Sequence, residues 1–302
     1  MTVRNVGAGQ TYTTVAAAIS DSAQGDEFVL FGNATFDEVF PSNITWADLT
    51  FSADNTDVDD KPTLRLSGGN WDSYWDNQTG YRKFVGINLG NFQYNGNGSS
   101  GIDRALVIED CFVSGNSVEL IQLNDTAQAN RITITNTIFV NNTGIIFKKP
   151  ANQNNNISIG GCFNCCFYGN TTVTDNAIAI GRNEFINMTN CVFKGNTTTC
   201  ADSDVKDNWD YNYAGSGASW GTGGISSAVD PFANSSGSNP TDFKIKDNTI
   251  LAIDAGTTTG APTNDIEGTV WPNPIDMGAF VFVTATLLSG GKRLARRLGL
   301  SL

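Results

Sequence analysis

A seven-residue motif recurs at a nearly constant spacing through the middle of this chain. Four copies align, at Asp110–Asn116, Asn136–Asn142, Asn164–Asn170 and Asn190–Asn196, so that their first residues are separated by 26, 28 and 26 residues. A weaker fifth copy, Asn91–Asn97, begins 19 residues before the first of these. Repeats of this length indicate a solenoid, in which each unit stacks on its neighbour because it cannot bury its apolar face alone.

Each copy follows a segment in which apolar and polar residues alternate, which predicts a strand with one buried face. The alternating pairs include Leu106 and Ile108, Ile132 and Ile134, and Ile186 and Met188. The closing Gly-Asn or Asn-Asn tolerates left-handed backbone angles at a corner. A coil of roughly 26 residues holds about three short strands. We therefore expect an all-β, single-stranded, right-handed parallel β-helix of roughly ten coils.

Stacking of the coils predicts columns of identical positions inside the helix. Cys111, Thr137, Cys165 and Cys191 share one position, and Phe139, Phe167 and Phe193 share the next inward one. Free cysteine acts as a small buried hydrophobe in such a column. If the protein is exported, a Cys191–Cys200 disulfide remains an alternative.

The composition excludes several kinds of site. The chain has 302 residues and no histidine, so Ser-His-Asp and Cys-His catalytic groups are excluded. The net charge of −12 argues against a nucleic-acid partner. The opening residues, 1–7, lack the apolar stretch of a signal peptide. We therefore expect either a removed signal or assembly in a cytoplasm.

The N-terminal residues carry a recognisable pattern. Tyr12-Thr13-Thr14-Val15 leads into an apolar stretch that ends at Ile19, and Gly25-Asp26 and Gly32 to Glu38 follow. This order resembles the opening of the pectin-lyase-like right-handed parallel β-helix superfamily. The resemblance implies a short helix within residues 13–22 that caps the first coil.

Five C-terminal segments add to the resemblance. They are Val229–Phe232, Asp242–Ile245, Ala252–Gly256, Asp265–Gly268 and Ile275–Phe280. They are similar to the closing part of bacterial and phage members that end in an Asp-Ile-Gly-Ala-Tyr/Phe-like strand. The implied organisation is an N-terminal cap (1–25), a β-helix body (26–282) and a basic tail (283–302).

The enzymes of this superfamily have motifs that this chain lacks. There is no Asp-Phe-Ile-Phe-Gly or Gly-Arg-Pro-Trp of a pectin methylesterase, no Gly-His-Gly of a polygalacturonase, and no Arg-x-Pro-x-x-Arg of a pectate lyase. We therefore assign no catalytic residue. A lyase of a new kind could still use Arg182 or Lys148 with a tyrosine, although solvated surface cations explain these two residues more simply.

Two aromatic segments suggest glycan binding, because aromatic rings stack on sugars. The first contains Trp71, Tyr74 and Trp75, and the second contains Trp209, Tyr211 and Tyr213. The alternative is that both are long loops folded onto the flank of the helix. Beside the second segment, Asp202, Asp204, Asp207 and Asp210 form a weak candidate for calcium, and we expect no other cofactor or metal.

The last eleven residues form a basic amphipathic peptide. Its cations are Lys292, Arg293, Arg296 and Arg297, with Leu294 and Leu298 at helical spacing. Such a peptide can dock on an acidic partner and become ordered there, or it can be a frayed end.

These features favour a non-enzymatic structural protein of a virus particle, such as a phage capsid decoration, spike or fibre component. We expect it in the virion, joined to other virion proteins through its tail, with a homotrimer and contact with a cell-surface glycan as further expectations. The alternatives are an extracellular polysaccharide-active or glycan-binding β-helix, of the lyase or hydrolase class if enzymatic, and a bacterial surface adhesin.

Overall fold

The computed structural model describes residues 1–39, 48–66, 71–72, 80–95, 104–122, 130–149, 161–176, 187–200, 209–215, 221–247 and 250–283. Within these residues the strands form three sheets. Sheet A contains β1 (Val3–Val6), β2 (Glu27–Leu30), β4 (Leu49–Ala53), β7 (Gly80–Val85), β10 (Arg104–Glu109), β13 (Asn130–Thr135), β16 (Gly161–Phe163), β19 (Met188–Thr189) and β22 (Trp209–Asp210).

The other two sheets follow the same order along the chain. Sheet B contains β3 (Thr35–Glu38), β5 (Thr63–Leu66), β8 (Asn88–Gly90), β11 (Phe112–Ser114), β14 (Ile138–Val140), β17 (Cys166–Tyr168), β20 (Val192–Lys194), β23 (Tyr213–Ala214) and β24 (Ile225–Ser226). Sheet C contains β6 (Trp71–Asp72), β9 (Tyr94–Asn95), β12 (Ile121–Gln122), β15 (Ile145–Lys149), β18 (Thr172–Asn176) and β21 (Thr198–Cys200).

Successive coils pair in parallel, and each coil contributes one strand to each sheet along the central repeats. Parallel strands joined by crossover connections of this kind are right-handed. The predicted right-handed parallel β-helix is therefore confirmed, with nine described strands in each of sheets A and B and six in sheet C.

Two corners in each coil use the left-handed backbone region. The first, between sheets A and B, is occupied by Asp110, Asn136, Asn164 and Asn190 at φ 54°, 48°, 54° and 57°. The second, after sheet B, is occupied by Gly115, Asn141, Gly169 and Gly195 at φ 67°, 51°, 62° and 68°. Glycine and asparagine adopt these angles at low cost, which explains the recurrence of the motif.

The interior of the solenoid is filled by columns of like side chains. Phe139, Phe167 and Phe193 stack with ring centroids 4.9 Å apart, and Trp209 continues the stack 5.2 Å beyond Phe193. Cys111, Thr137, Cys165 and Cys191 are all fully buried, so both predicted columns are confirmed. Cys191 carries a free thiol, so the alternative of a Cys191–Cys200 disulfide is wrong.

A ladder of asparagine side chains runs along the second corner. The Nδ2 of Asn116 donates to the Oδ1 of Asn142, and Asn142 donates in the same way to Asn170 and Asn170 to Asn196, over 2.7–2.9 Å. The same Oδ1 atoms also accept from the backbone N–H one coil earlier. Each buried amide therefore satisfies polar groups in two coils.

A short helix, α1 (Val15–Ser20), lies at the N-terminal end of the solenoid. Thr14 caps it, and the carboxylate of Glu38 on β3 accepts from Val15 N at 2.9 Å. Its residues Val15, Ala18 and Ile19 are buried in the same core as the coils. No helix in the described parts of the chain is long and apolar enough to cross a membrane.

Residues 229–283, here called the lateral segment, lie against the outer face of sheet B. Phe232, Phe243, Ile266, Met277 and Phe280 share a second core with outward-facing residues of that sheet, namely Phe112, Ile138, Cys166 and Val192. The segment contains one 3₁₀ helix (Pro240–Phe243) and no strand among its described residues. The sequence predicted a β-helix body up to residue 282; in the structure, the described residues of the lateral segment add no strand to the three sheets and instead cover the apolar outer face of sheet B.

Candidate functional site

One member of the first corner column differs chemically from the rest. Asn136, Asn164 and Asn190 hold this corner in three successive coils, whereas Asp110 holds it in the coil before them and Gly86 in the coil before that. The backbone is the same throughout, since each corner N–H donates to the next coil. A carboxylic acid in a column of amides is therefore not required by the fold.

Asp110 is partly buried, and burial raises its pKa to about 6. The Nδ2 of Asn136 donates to its Oδ1 at 2.9 Å and opposes the shift. The charges of Glu109 and Asp265 raise the pKa further, and the charge of Lys61 lowers it. A carboxyl group with such a pKa can hold or release a proton near pH 6, as a general acid or base must.

Lys61 faces the same corner from the loop between β4 and β5. Its Nζ donates to the backbone oxygen of Asn55 at 2.9 Å and lies beside Gly86, where a Cβ would be only 3.1 Å from the ammonium nitrogen. Burial lowers the pKa of Lys61, and nearby carboxylates, Asp110 foremost, oppose this effect. Glycine at position 86 therefore leaves the room that the lysine side chain occupies.

Among the described residues, three amide oxygens around this corner have no hydrogen-bond donor: the Oδ1 atoms of Asn55, Asn88 and Asn136. Asn136 is only 3% exposed, and its Nδ2 donates both to Asp110 and to the backbone oxygen of Asn264. Exchanging its oxygen and nitrogen would place an oxygen against two acceptors, which fixes its orientation. The corner is thus rich in acceptors and contains one ammonium group.

The second predicted aromatic site is not assembled at the surface. Trp209 is fully buried on Phe193, and Tyr213 is 1% exposed with its hydroxyl donating to Val229 O. Neither ring offers a free face to a sugar, because both belong to apolar cores, so the glycan-binding prediction is wrong for these two side chains. Tyr211 is partly exposed, and its ring lies against Gly223.

In the first aromatic segment, Trp71 pairs in register with Tyr94 on sheet C. Tyr74 and Trp75 lie outside the described residues.

Of the four aspartates predicted to bind calcium, Asp202, Asp204 and Asp207 lie outside the described residues. Asp210 Oδ1 accepts from Thr222 N at 2.7 Å. Within the described ranges no three His, Cys, Asp or Glu side chains are grouped so that they could hold a metal ion.

Most of the cations considered for a new lyase and for docking lie outside the described residues. Lys148 is paired with Glu119 at 2.6 Å, and Arg182 lies outside the described residues. The docking tail, which includes Lys292, Arg293, Leu294, Arg296, Arg297 and Leu298, also lies outside them.

Sequence reasoning did not identify Asp110 as a functional residue, because it treated Asp and Asn as equivalent corner residues. The signal was present in the aligned repeats, where one acid stands in a column of amides. Lys61 could not be found in this way, since it precedes the repeats and reaches the corner only through the path of its loop.

Comparison with known proteins gives a weak structural likeness and no match by sequence. No family model matches the sequence, and no curated protein matches it. One solved structure that resembles the chain is the pectin methylesterase from Aspergillus niger in deglycosylated form, at 14% identity and a TM-score of 0.42, covering 86% of this chain and 93% of that one. On the evidence of its own three parallel sheets, the chain has a right-handed parallel β-helix fold.

Proposed function

We propose that this chain is a non-enzymatic structural element of a virus particle, such as a capsid decoration, spike or fibre component. The observation that carries the proposal is the lateral segment, which covers the outer face of sheet B with its own apolar core. A solenoid that is clamped along its side by its own chain is suited to act as a rigid spacer. Such a rod needs no catalytic centre.

The thiols are compatible with both reducing and oxidising surroundings, as a particle meets inside and outside a cell. Cys111, Cys162, Cys165, Cys166 and Cys191 are free and buried. Burial raises the pKa of Cys111 and of Cys166 to about 12, which suppresses the reactive thiolate. The rod therefore has no disulfide to lose and no reactive thiol to oxidise among these five cysteines.

Incorporation into particles tests this proposal. Deletion of residues 290–302 should abolish incorporation of the chain into particles, because it removes the four clustered cations of the docking peptide. Charge reversal at Arg293 and Arg296 to Glu should have the same effect. Reversal of the exposed Lys246 to Glu serves as the control and should leave incorporation unchanged. If the chain lacking 290–302 is incorporated at the wild-type level, the tail is not the anchor, and absence of the full chain from particles overturns the proposal.

A polysaccharide-active β-helix is the second candidate, and Asp110 is the observation that favours it. A carboxyl group with a pKa of about 6 beside a partly buried ammonium group is an arrangement that acid–base catalysis uses. A screen of acidic polysaccharides for new reducing or unsaturated ends tests this candidate. Activity that disappears in Asp110→Asn supports it, and the absence of activity across the screen contradicts it.

A further inference from the structure

The lateral segment is attached to the solenoid through the amides of the first corner column. Asn136 Nδ2 donates to Asn264 O at 2.8 Å, and Asn164 Nδ2 donates to Asp276 O at 3.1 Å. Asn190 exchanges two hydrogen bonds with the backbone of Thr257, at 2.7 and 2.8 Å. Three consecutive coils therefore each anchor a different point of the same segment.

A titratable group lies at one of these anchors. The second N–H of Asn136 donates to Asp110, so one amide links the carboxyl group of the solenoid to the backbone of the lateral segment. Among the described contacts, the other two anchoring amides donate to no carboxyl group: Asn190 donates to the side chain of Asn164, and Asn164 donates to a backbone oxygen.

The charged groups around Asp110 are unbalanced across this contact. Lys61 faces Asp110 from the loop before β5. Glu109 precedes Asp110 at the end of β10, and its carboxylate pairs with Lys83 of β7 at 2.7 Å. From the lateral segment Asp265 faces it, with its carboxylate fixed by the N–H groups of Glu267, Thr269 and Val281. The partly buried carboxylate of Asp110 and the buried carboxylate of Asp265 therefore lie on opposite sides of one interface.

We propose that the uptake of a proton by Asp110 tightens the lateral segment onto the solenoid, so that mild acid strengthens this attachment. Protonation removes the repulsion between Asp110 and Asp265 and the cost of holding a charge in a partly buried corner. The contact from Asp110 through Asn136 to Asn264, here called the clasp, is therefore a proton-sensitive attachment between the β-helix and the lateral segment. This proposal concerns the chain itself and does not depend on its role in a particle.

The pH dependence of the attachment follows from the difference between the folded and unfolded pKa values of Asp110. Asp110 has a pKa of about 6 in the folded chain, raised from its ordinary value of 3.8. A raised pKa favours the fold at low pH, so the contribution is fully present below about pH 4 and is lost as the pH rises through 6. The clasp should therefore loosen as the pH rises from about 4 through 6, and the loss should be complete by pH 7.5.

Hydrogen exchange measures this effect directly. Amides anchored in the lateral segment, such as those of Ile266, Met277 and Gly278, should be protected about tenfold more at pH 5.0 than at pH 7.5 after correction for intrinsic exchange. In Asp110→Asn, which carries the residue of the three following coils, this difference should shrink because protection at pH 7.5 rises, and the raised pKa of Asp265 should leave a smaller response. Asp57→Asn, an exposed change on the loop of Lys61, is the control and should keep the wild-type response.

A second variant keeps the test decisive if Asp110→Asn folds poorly. Lys61→Met removes the cation that lowers the pKa of Asp110, so the midpoint of the exchange transition should move to higher pH. Equal protection at both pH values in the wild-type chain, or an unchanged pH response in Asp110→Asn, would overturn the proposal.

Discussion

At the scale of single residues, the solenoid depends on amide side chains that each serve two coils. Asn142 accepts from the backbone and side chain of Asn116, and it donates to Val113 O and to Asn170. Asn196 ends the described ladder and is only partly buried. Loss of an inner amide therefore leaves several buried groups without partners, whereas loss of the last one exposes groups that water can reach.

The buried Asn142 should therefore contribute more to stability than the partly buried Asn196. Asn142→Ala should lower the free energy of unfolding by about 2–4 kcal/mol, because the buried Asn116 N–H loses its acceptor. Asn196→Ala, the matched control, should cost about 1 kcal/mol. Chemical denaturation followed by circular dichroism measures both values. Equal costs for the two variants would contradict the view that burial decides the strength of the ladder.

The sequence could predict the inward columns of cysteine and phenylalanine, because a period of 26 residues places identical positions above one another. It could not distinguish the left-handed residue of the second corner from the ladder residue that follows it. Gly115 takes the positive φ, and Asn116 takes the buried amide role. Both positions favour the same small set of residues, so the pattern alone leaves their roles unresolved.

At the scale of elements, the N-terminal helix is held by contacts that cross between coils. Glu38 on β3 receives the first two amides of α1, from Val15 at 2.9 Å and Ala16 at 3.5 Å. A carboxylate in this place also interacts favourably with the positive end of the helix. The Tyr-x-Thr-Val pattern and the turn that carries Glu38 were both readable in the sequence, but the contact between them was not.

Glu38→Ala should therefore cost about 1–2 kcal/mol of unfolding free energy, and Glu38→Gln less than 1 kcal/mol because one acceptor remains. Asp37→Ala, an exposed change on the same strand, should be neutral. Thermal melts of the three variants provide the comparison. A cost for Asp37→Ala as large as that for Glu38→Ala would show that the strand, and not the helix contact, is responsible.

The buried carboxylate of Asp26 accepts hydrogen bonds from Thr2 and Arg4 and so holds the first strand, β1, in place. Burial alone would raise the pKa of Asp26, but hydrogen bonds from Ala23, Arg4 and Thr2 outweigh it, and the pKa is lowered below 3.8. A lowered pKa stabilises the fold above the ordinary value, and this stabilisation is lost as the pH falls through the folded value. Asp26 therefore contributes its full stabilisation of β1 at pH values above its ordinary pKa of 3.8.

Asp26→Asn should destabilise the chain by about 2 kcal/mol at pH 7, since it removes the Arg4 ion pair at 2.8 Å. The difference from the wild type should shrink as the pH falls from 3.8 to the lower pKa of the folded chain, because the carboxyl of the unfolded chain takes up its proton first. Denaturation at pH 7, 5 and 3 measures this trend. A gap between wild type and variant that stays constant down to pH 3 would show that the charge of Asp26 is not the stabilising feature.

At the scale of the whole molecule, the lateral segment covers the apolar outer face of sheet B. Without it, outward side chains of sheet B such as Phe112, Ile138 and Val192 would face water. The resemblance of the C-terminal segments to a closing strand placed them at the end of the rod. In the structure they lie along the side of the rod, against sheet B. Their alternation of apolar residues and turns fits a cover as well as it fits a coil, so the sequence pattern could not decide between the two.

Truncation after residue 228 should therefore lower the free energy of unfolding by about 5 kcal/mol or more, since at least four apolar side chains lose their cover at about 1.5 kcal/mol each. The truncated chain should also self-associate. Truncation after Val283, which keeps the lateral segment, should remain monodisperse and as stable as the full chain. Light scattering and denaturation compare the two, and a stable, monodisperse chain ending at 228 would contradict this account.

A β-helix made of near-identical coils could in principle grow or shrink by duplication or loss of one repeat. The anchors of the lateral segment remove that freedom here, because Asn136, Asn164 and Asn190 must meet Asn264, Asp276 and Thr257 at fixed places. Insertion of one 26-residue coil between these anchors would shift them by about 4.8 Å, more than a hydrogen bond can span. The segment therefore fixes the number of coils between Asn136 and Asn190, and a lineage of such rods could change length within that stretch only by changing both parts together.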